Sequence, residues 1–210
     1  MNRFKTFTGG VLDTNCFLHH SPAGNILFDA PQGADEAFAG ERIDLLLLTH
    51  GHFDHVADAA AIIRRHRCKT AFHADTAPMV SDPEFFRRWG FELEIAPFQA
   101  DFLLEEGGPV DLLGTRFEIL LVPGHCPGSL CFHMPDDHVL VGGDVLFRDG
   151  VGRWDLPGGD RELLFEGISR KLMTLDDGTV VLPGHGPTTT IGRERTGNPY
   201  LVNSPKVSST

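Results

Sequence analysis

The sequence predicts an α/β (α+β) fold arranged as a four-layer αββα sandwich, and two observations and one packing rule support this prediction. Residues 43–48 (IDLLLL) form an apolar run of the kind found in strands buried on both faces. Two comparable halves of the chain each pass from short β-type segments into a helical segment. Sheets whose outer faces are covered by helices commonly pack their inner faces together. This rule favours the sandwich, although residue periodicity alone leaves other α/β arrangements open.

The first half begins with β-type segments at residues 10–18 and 25–29, which are separated by a turn containing proline and glycine. The apolar strand at residues 43–48 follows and ends in polar residues. A helix is predicted over residues 57–67 because this segment ends in arginines, and cations stabilise the C-terminus of a helix. A further strand is predicted at residues 69–74.

Residues 76–89 are predicted to be helical in part, because two prolines interrupt the segment. A second series of strands is then predicted at residues 91–96, 109–113, 117–122, 129–134 and 139–142. Apolar residues at helical spacing predict a helix over residues 161–175, and a last strand follows at residues 179–182. We therefore expect one domain over residues 1–192 and a C-terminal tail over residues 193–210.

Composition restricts the class of partner. Acidic residues outnumber basic ones by 29 to 18, which gives a formal net charge of −11. Nucleic-acid binders need a basic surface to neutralise phosphates, so no nucleic-acid partner is expected.

No apolar run approaches the roughly 20 residues that span a bilayer, and no signal peptide is visible, so we expect a cytoplasmic protein without a membrane partner. The 4 cysteines form no CxxC pair, which favours reduced thiols.

The segment after the apolar strand carries four potential metal ligands in the pattern His50-x-His52-x-Asp54-His55. Imidazoles and carboxylates are good ligands for zinc and related transition metals. Such groups crowded together need a cation or solvent to compensate them. The pattern therefore predicts a metal site in a loop at the edge of a sheet, and a solvated histidine-rich loop is the alternative.

Three further candidate ligands share one local pattern, in which an apolar strand leads through a glycine-containing turn to a polar residue. They are His125 in LVPGH, Asp144 in VGGD and His185 in VLPGH. Loops at strand ends commonly carry functional groups. Each residue alone would more often be a turn or core residue, but the recurrence of the pattern favours one shared site.

With these residues the sequence resembles the metallo-β-lactamase superfamily and, within it, the short glyoxalase II-like (hydroxyacylglutathione hydrolase-like) branch. The HxHxDH motif followed by a separate His, Asp and His in this order is highly specific to the superfamily. The stretches GDVLF (143–147) and GRWDLPGGD (152–160), and the later Asn198-Pro199-Tyr200, resemble the narrower branch. The resemblance covers almost the whole chain and implies the metallo-β-lactamase fold.

The resemblance also implies two divalent metal ions held by all seven candidate ligands. The implied sets are His50, His52 and His125 for the first ion, Asp54, His55 and His185 for the second, and Asp144 as the bridge. Asp54 would also orient the nucleophile and is the one predicted catalytic residue. Zinc is the preferred metal, and iron or manganese is compatible with these ligands. The implied reaction is attack by metal-bound hydroxide on the carbonyl of a small-molecule substrate.

A glyoxalase II-like thioesterase acting on S-acyl-glutathione or related thioesters is the favoured activity, because a thiolate leaves without strong protonation. Residues 186–210 are too few to form the helical glutathione-binding region of full-length glyoxalase II proteins, so the thiol half of the substrate is left open. The alternatives are a mononuclear iron persulfide dioxygenase, a lactonase or other hydrolase of the same fold, and a non-catalytic binding module stabilised by metal.

The remaining candidates receive structural interpretations. Cys126 directly follows His125 and could be a soft extra ligand, but a small buried side chain is the favoured interpretation. Arg153 and Asp155 are expected to form a structural salt bridge near the site. The other histidines are expected to be structural or solvent-facing: His19, His20, His66, His73, His133 and His138.

Overall fold

The computed structural model describes residues 3–91 and 94–202, and two six-stranded sheets form the centre of the fold. The strands of the first sheet lie side by side in chain order: β1 (Phe4–Gly9), β2 (Thr14–Ser21), β3 (Gly24–Phe28), β4 (Leu45–Leu47), β5 (Lys69–Phe72) and β6 (Phe102–Leu103). Strands β1 to β3 pair in antiparallel fashion, whereas β3 to β6 pair in parallel. The sheet therefore places the carboxyl ends of β3, β4 and β5 at one edge.

The second half of the chain supplies the other sheet and one hairpin. Its strands are β7 (Val110–Leu112), β8 (Thr115–Leu121), β9 (Leu130–Met134), β10 (Val139–Gly143), β11 (Leu146–Phe147), β12 (Gly150–Val151), β13 (Val180–Pro183) and β14 (Thr189–Thr190). The spatial order of the second sheet is β14, β13, β10, β9, β8, β7, and β11 with β12 forms the separate hairpin. Only the β10–β13 pair of this sheet is parallel within the described ranges.

Short helices connect and cover the strands. The α-helices of the described residues are α1 (Ala34–Ala37), α2 (Phe53–Val56), α3 (Ala59–His66), α4 (Ala77–Ser81), α5 (Arg161–Arg170), α6 (Ile191–Gly197) and α7 (Pro199–Val202). Turns of 3-10 helix lie at Ala74–Thr76, Arg87–Trp89, Pro135–Asp137 and Leu172–Thr174. None of the helices in residues 3–91 and 94–202 is long and apolar enough to cross a membrane.

The apolar core between the two sheets is built from side chains of both. Phe28 of the first sheet lies with its ring centroid 6.2 Å from that of Phe117 and 5.4 Å from that of Phe132, both in the second sheet. Along β4, Leu45 and Leu47 face this core, while Leu46 packs in another core on the opposite face of the sheet. Successive side chains of a strand point to opposite faces, so the apolar run is buried on both.

Two further cores hold the helices against the outer faces of the sheets. On the first sheet, Leu46 packs with Ile62 of α3. On the second sheet, Leu140 packs with Leu164 and Ile168 of α5. The layers thus run helix, sheet, sheet, helix, and the predicted αββα sandwich is confirmed.

The strand predicted at residues 10–18 begins only at Thr14, because residues 10–13 form a turn, and two later predicted elements also differ from the structure. Residues 91 and 94–96, predicted as strand, contain none, and residues 92–93 of that prediction lie outside the described residues. The helix predicted over residues 161–175 ends at Arg170 and is followed by a 3-10 turn. In the first of these two later elements β-type residues pack against other side chains instead of a neighbouring strand: Phe91 contacts Phe53, with ring centroids 5.8 Å apart.

The C-terminal segment also differs from the predicted tail, because the predicted boundary at residue 193 falls inside α6. Glu194 on this helix is fully buried. Its carboxylate accepts hydrogen bonds from the Asn198 side-chain amide and the Asp149 backbone N–H, each 2.9 Å long, and from the Thr189 hydroxyl. Residues up to 202 therefore pack on the domain, and residues 203–210 of the predicted tail lie outside the described residues.

Candidate metal centre

The four clustered candidate ligands lie where β4 gives way to α2. His50 and His52 lie in the extended segment between the two elements, and His52 is the residue at the N-cap of α2. Asp54 and His55 lie within the short helix. All four side chains are buried. The prediction of a loop at a sheet edge is thus only half correct, since the second pair of residues is helical.

The three separate candidates reach the same edge of the sandwich from the second sheet. Asp144 directly follows β10, and His185 follows β13, the parallel neighbour of β10. His125 lies just beyond the end of β8. The two sheets are joined at this edge by a hydrogen bond of 2.8 Å from the Leu130 N–H to the Thr49 carbonyl. The edge therefore collects all seven candidates from four places in the chain.

One group of potential ligands consists of His50, His52 and His125, whose ligand atoms lie within 4.8 Å of one another. His50 Nε2 is 3.2 Å from His52 Nδ1. The ring centroids of His52 and His125 are 4.6 Å apart. This is the set that the resemblance implies for the first ion.

A second group consists of Asp54, His55 and His185. Asp54 Oδ2 lies 3.3 Å from His185 Nε2 and 3.5 Å from His55 Nε2. Asp54 Oδ2 also accepts a hydrogen bond of 2.7 Å from the Thr14 hydroxyl. This is the set implied for the second ion.

Asp144 lies between the two groups. Its Oδ2 atom is 3.5 Å from His125 Nε2 in the first group and 3.2 Å from His185 Nε2 in the second. Its Oδ1 atom is 3.3 Å from His55 Nε2. The structure thus brings all seven candidates together with the carboxylate of Asp144 in the central position. Their assignment as ligands stays a prediction.

The outer ring nitrogens of three histidines are held by partners away from the centre. Nδ1 of His125 donates to the Arg153 carbonyl at 2.8 Å, and Nδ1 of His185 donates to the Leu12 carbonyl at 3.0 Å. Nδ1 of His55 lies 2.8 Å from Asp29 Oδ2. Hydrogen bonds of this kind fix the tautomer and orientation of a metal-binding histidine. Each of these rings therefore presents Nε2 to the centre.

Asp29, which is not among the residues predicted for the site, directly follows β3 in the left-handed conformation, with φ of 61°. Its carboxylate accepts hydrogen bonds of 2.8 Å from both the backbone N–H and the hydroxyl of Thr49. Asp29 thereby links the start of the His50–His55 segment to His55. The signal that could have found it is the same pattern, a polar residue directly after an apolar strand.

Thr14 and Asn15 of β2 were also missed as contributors to the site. The Asn15 backbone N–H donates to the Gly184 carbonyl at 2.7 Å. Its side-chain amide donates to the carbonyls of Pro183 at 3.0 Å and of Gly186 at 2.9 Å. Asn15 therefore fixes the turn that carries His185, a relationship between distant residues that no local pattern reveals.

Gly184 in this turn meets a steric requirement. A Cβ atom at this position would lie 2.1 Å from Asp144 Oδ1 and 2.6 Å from His55 Cε1. Both distances are far below van der Waals contact, so only glycine lets the backbone pass this close to the centre.

Burial and the neighbouring charges set the protonation of the cluster. Burial holds the pKa of His50 well below its usual value and lowers the pKa of His52 to about 3. Burial alone would raise the pKa of Asp54, but the adjacent His55 and His185 outweigh it and hold that pKa at about 2. The pKa of Asp144 is likewise well below its usual range, because the charge of His55 and the close approach of the His185 and His55 rings outweigh burial.

His185 and His55, which lie nearest the carboxylates, have pKa values that are raised and not lowered. Burial alone would lower the pKa of His185, but hydrogen bonds to Asp144 and Asp54 raise it to about 10. The pKa of His55 is also well above its usual value, since the charges of Asp144, Asp54 and Asp29 outweigh burial. The centre therefore holds ionised carboxylates whose negative charge must be balanced, either by protonated histidines or by cations.

Several atoms at the centre have no hydrogen-bond partner among the described residues although they are buried. They include Nε2 of His55, Nε2 of His125 and Oδ1 of Asp144. Buried polar atoms without partners are costly and rare in native proteins. Divalent cations would satisfy these atoms, and imidazole with carboxylate is a donor set suited to zinc, iron or manganese. The residues present therefore fit a divalent metal centre.

A cavity of about 620 Å³ opens beside the centre, and five of the candidate ligands line it: His52, Asp54, His125, Asp144 and His185. Its aromatic lining residues are Phe53, Phe86, Trp89, Phe91 and Phe147. Its aliphatic lining residues are Leu12, Val151 and Leu156, and Arg153 completes the wall. This size suits a small-molecule ligand.

The other residues singled out in the sequence have structural roles. Arg153 forms the expected salt bridge with Asp155, with Nε to Oδ1 at 2.8 Å and Nη2 to Oδ2 at 2.9 Å, so this prediction is confirmed. Cys126 is fully buried with Sγ 3.6 Å from Met79 Sδ, as the favoured interpretation predicts. Neither Cys126 nor any of the remaining histidines belongs to a metal-binding group in residues 3–91 and 94–202.

Comparison with known proteins identifies relatives over most of the chain. The model of the family described as "Metallo-beta-lactamase superfamily" matches residues 9–185. Hydroxyacylglutathione hydrolase GloC of Haemophilus influenzae is 39% identical over 197 residues, which cover 89% of this chain and 92% of that protein.

Solved structures agree with this result. The crystal structure of BLEG-1 B3 metallo-beta-lactamase is 32% identical with a TM-score of 0.88, and the match covers 94% of this chain and 99% of that one. The crystal structure of TTHA1623 in a di-iron-bound form is 37% identical with a TM-score of 0.84, and it covers 94% of this chain and 100% of that one.

Proposed function

The chain belongs to the metallo-beta-lactamase superfamily and is a metal-dependent hydrolase, and we propose that it is a binuclear thioesterase acting on S-acyl-glutathione or related thioesters. The observation that carries this proposal is the convergence of seven His and Asp side chains, with buried unpartnered atoms among them, beside the cavity. A non-catalytic metal module would not need a cavity of this size at its metal centre.

The residues would hold two divalent ions in the sets described above, with Asp144 shared between them. Zinc is the first choice from the donor set, and the di-iron form of TTHA1623 makes iron the second. Bound divalent ions supply Lewis acidity and lower the pKa of coordinated water toward about 7.

The protein's own contribution is to position water and substrate. Asp54 is ionised, and its Oδ2 is held by the Thr14 hydroxyl at 2.7 Å. An ionised carboxylate at the cavity wall accepts a hydrogen bond from water and so orients its oxygen toward a bound carbonyl. Asp54 would therefore orient the nucleophile, and Thr14 would fix the rotamer of Asp54.

The overall reaction is hydrolysis of an acyl–sulfur bond. The oxygen of water bonds to the carbonyl carbon, the C–S bond breaks with its electron pair on sulfur, and the products are a carboxylate and a thiol. A thiolate departs without strong protonation, so no dedicated acid is required. The 39% identity to a hydroxyacylglutathione hydrolase supports this substrate class.

The proposal is tested by metal analysis and an activity panel on the same purified, metal-loaded protein. The panel contains S-lactoylglutathione and other thioesters, a lactone, a β-lactam and glutathione persulfide. We expect two metal ions per chain and thioester hydrolysis. No thioester turnover with both sites filled would overturn the proposal, and one iron per chain with oxygen consumption would identify a persulfide dioxygenase instead.

Hydrolysis of β-lactams is the second candidate, because the chain is 32% identical to the BLEG-1 B3 metallo-beta-lactamase over 94% of its length. The β-lactam arm of the panel tests it directly. A small-molecule substrate and a cytoplasmic location are also part of the proposal, and the four free, buried cysteines support a reducing compartment.

A further inference from the structure

The cavity beside the metal centre is lined almost entirely by candidate ligands and apolar side chains. Apart from the candidate ligands, every side chain that lines it is apolar except Arg153. The apolar side chains come from both sides of the centre. Trp89 lies next to the first group, with its ring centroid 6.2 Å from that of His52. Phe147 lies next to the second group, with its ring centroid 6.1 Å from that of His185.

The aromatic wall around Trp89 is held in place by further ring contacts. Trp89 contacts Phe85 with ring centroids 4.9 Å apart. Phe53 packs against Phe86 at 6.0 Å and against Phe91 at 5.8 Å. Because these rings support one another, the wall presents a preformed apolar surface.

Arg153 is the only cationic side chain that lines the cavity, apart from the candidate ligands, in the part of the chain that the structure describes. Its guanidinium is already paired in bidentate geometry with Asp155 at the solvent-exposed rim, where the side chains are 61% and 64% exposed. Outside the metal centre, the cavity therefore offers no unpaired cationic side chain to an anionic group. A formal net charge of −11 adds to this disadvantage for anions.

Glutathione carries two carboxylates, so the apolar lining of the cavity determines which half of a glutathione thioester can enter it. The reacting carbonyl must lie at the metal centre, and in the apolar remainder of the cavity an anionic thiol half would lose hydration without gaining a cation. An apolar acyl half, in contrast, gains from contact with the aromatic wall. Resting on the thioesterase activity proposed above, we propose that the acyl group occupies the aromatic cavity, that the thiol half extends into solvent, and that the enzyme prefers thioesters with bulky apolar acyl groups.

The preference is tested on the metal-loaded enzyme with a matrix of thioesters. The acyl groups are acetyl, lactoyl, hexanoyl and phenylacetyl, and each is attached both to glutathione and to uncharged N-acetylcysteamine. We expect kcat/KM to rise about tenfold or more from acetyl to phenylacetyl on either thiol. We also expect glutathione to give no advantage over N-acetylcysteamine. Equal rates across the acyl series, or dependence on glutathione, would overturn the inference.

The residues responsible are tested with Trp89→Ala and Phe147→Ala. Each should lower the phenylacetyl-to-acetyl ratio of kcat/KM by about tenfold. This ratio does not depend on the fraction of folded enzyme, because both substrates report on the same active molecules. Leu103→Ala is the control, since Leu103 is an exposed apolar residue of β6 that does not line the cavity, and its ratio should be unchanged.

The two possible failures are distinct. If no thioester in the matrix is hydrolysed, the thioesterase activity itself is wrong. If thioesters are hydrolysed but neither variant changes the ratio, the activity stands and the assignment of the acyl group to the aromatic cavity is wrong.

Discussion

Nδ1 of His55 lies 2.8 Å from a carboxylate oxygen of Asp29, and both side chains are buried. The contact joins the end of β3 to α2, so it orients His55 from a different part of the chain. Loss of such an outer contact typically lowers metal affinity or activity 10- to 100-fold, without loss of any ligand.

Asp29→Asn is therefore expected to lower metal affinity about 10- to 100-fold with the fold retained. Competition with a chelator measures the affinity, and circular dichroism measures the fold. Asp136→Asn, at an exposed position in a 3-10 helix, is the matched control and should behave like the parent. Unchanged metal affinity in the Asp29 variant would show that Asp29 does not support the centre.

Asp144→Asn tests the central carboxylate. Asp144 lies between the two groups and is held ionised, so an amide removes both the charge and one of the two equivalent carboxylate oxygens. We expect fewer than two metal ions per chain and a loss of activity larger than the roughly 100-fold upper range for an outer contact. Metal analysis with steady-state kinetics provides the measurement. A variant that keeps two ions and parental activity contradicts the central role.

Gly184→Ala tests the close approach of the backbone to the centre. The added methyl group would collide with Asp144 and His55, so we expect a loss of metal content and a destabilisation of about 1–3 kcal/mol. Gly178→Ala is the matched control, because a Cβ atom at Gly178 meets nothing within 4 Å. Thermal unfolding and metal analysis of both variants give the comparison, and equal behaviour would refute the steric account.

Glu194→Ala tests the anchoring of α6. Removing this fully buried carboxylate takes the acceptor from the Asp149 N–H and the Thr189 hydroxyl and one of two acceptors from the Asn198 amide. We expect the free energy of unfolding to fall by about 3 kcal/mol in denaturant titrations. Glu162→Ala, at an exposed position on α5, should change it by less than about 0.5 kcal/mol. Similar values for the two variants would mean that α6 does not depend on Glu194.

The cysteines should be unreactive in the folded protein. All four are buried, and burial raises the pKa of Cys68 to about 11 and those of Cys126 and Cys131 to about 12. The nucleophilic thiolate therefore forms only well above pH 8. A thiol-specific dye at pH 8 should label no cysteine rapidly in the native protein and four after unfolding. Rapid labelling of the native protein would contradict this burial.

The seven candidate ligands could be singled out from local patterns, whereas their division into two sets came from the family resemblance. His125, Asp144 and His185 each come after an apolar strand, and parallel or neighbouring strands end at one edge. Asn15 could not be predicted in the same way. Its importance lies in hydrogen bonds to residues 183, 184 and 186, which only the folded chain brings next to β2.

The fold followed from the sequence where burial produces a strong pattern, as in β4. Elements were not predicted where buried polar residues depend on hydrogen bonds to particular partners. The polar composition after Ile191, with its glycine, proline and serine residues, predicts a tail, but the carboxylate of Glu194 in this segment accepts three hydrogen bonds within the domain. A sequence pattern shows that a side chain is polar, but it does not show whether the fold supplies the hydrogen-bond partners that allow this side chain to be buried.

We propose that seven residues form one centre for two metal ions. Anomalous diffraction from crystals of the metal-loaded protein tests it most directly. The claim predicts two peaks on either side of the Asp144 carboxylate, one among His50, His52 and His125 and the other among Asp54, His55 and His185. A single peak in a fully loaded protein, or peaks away from these residues, would contradict it.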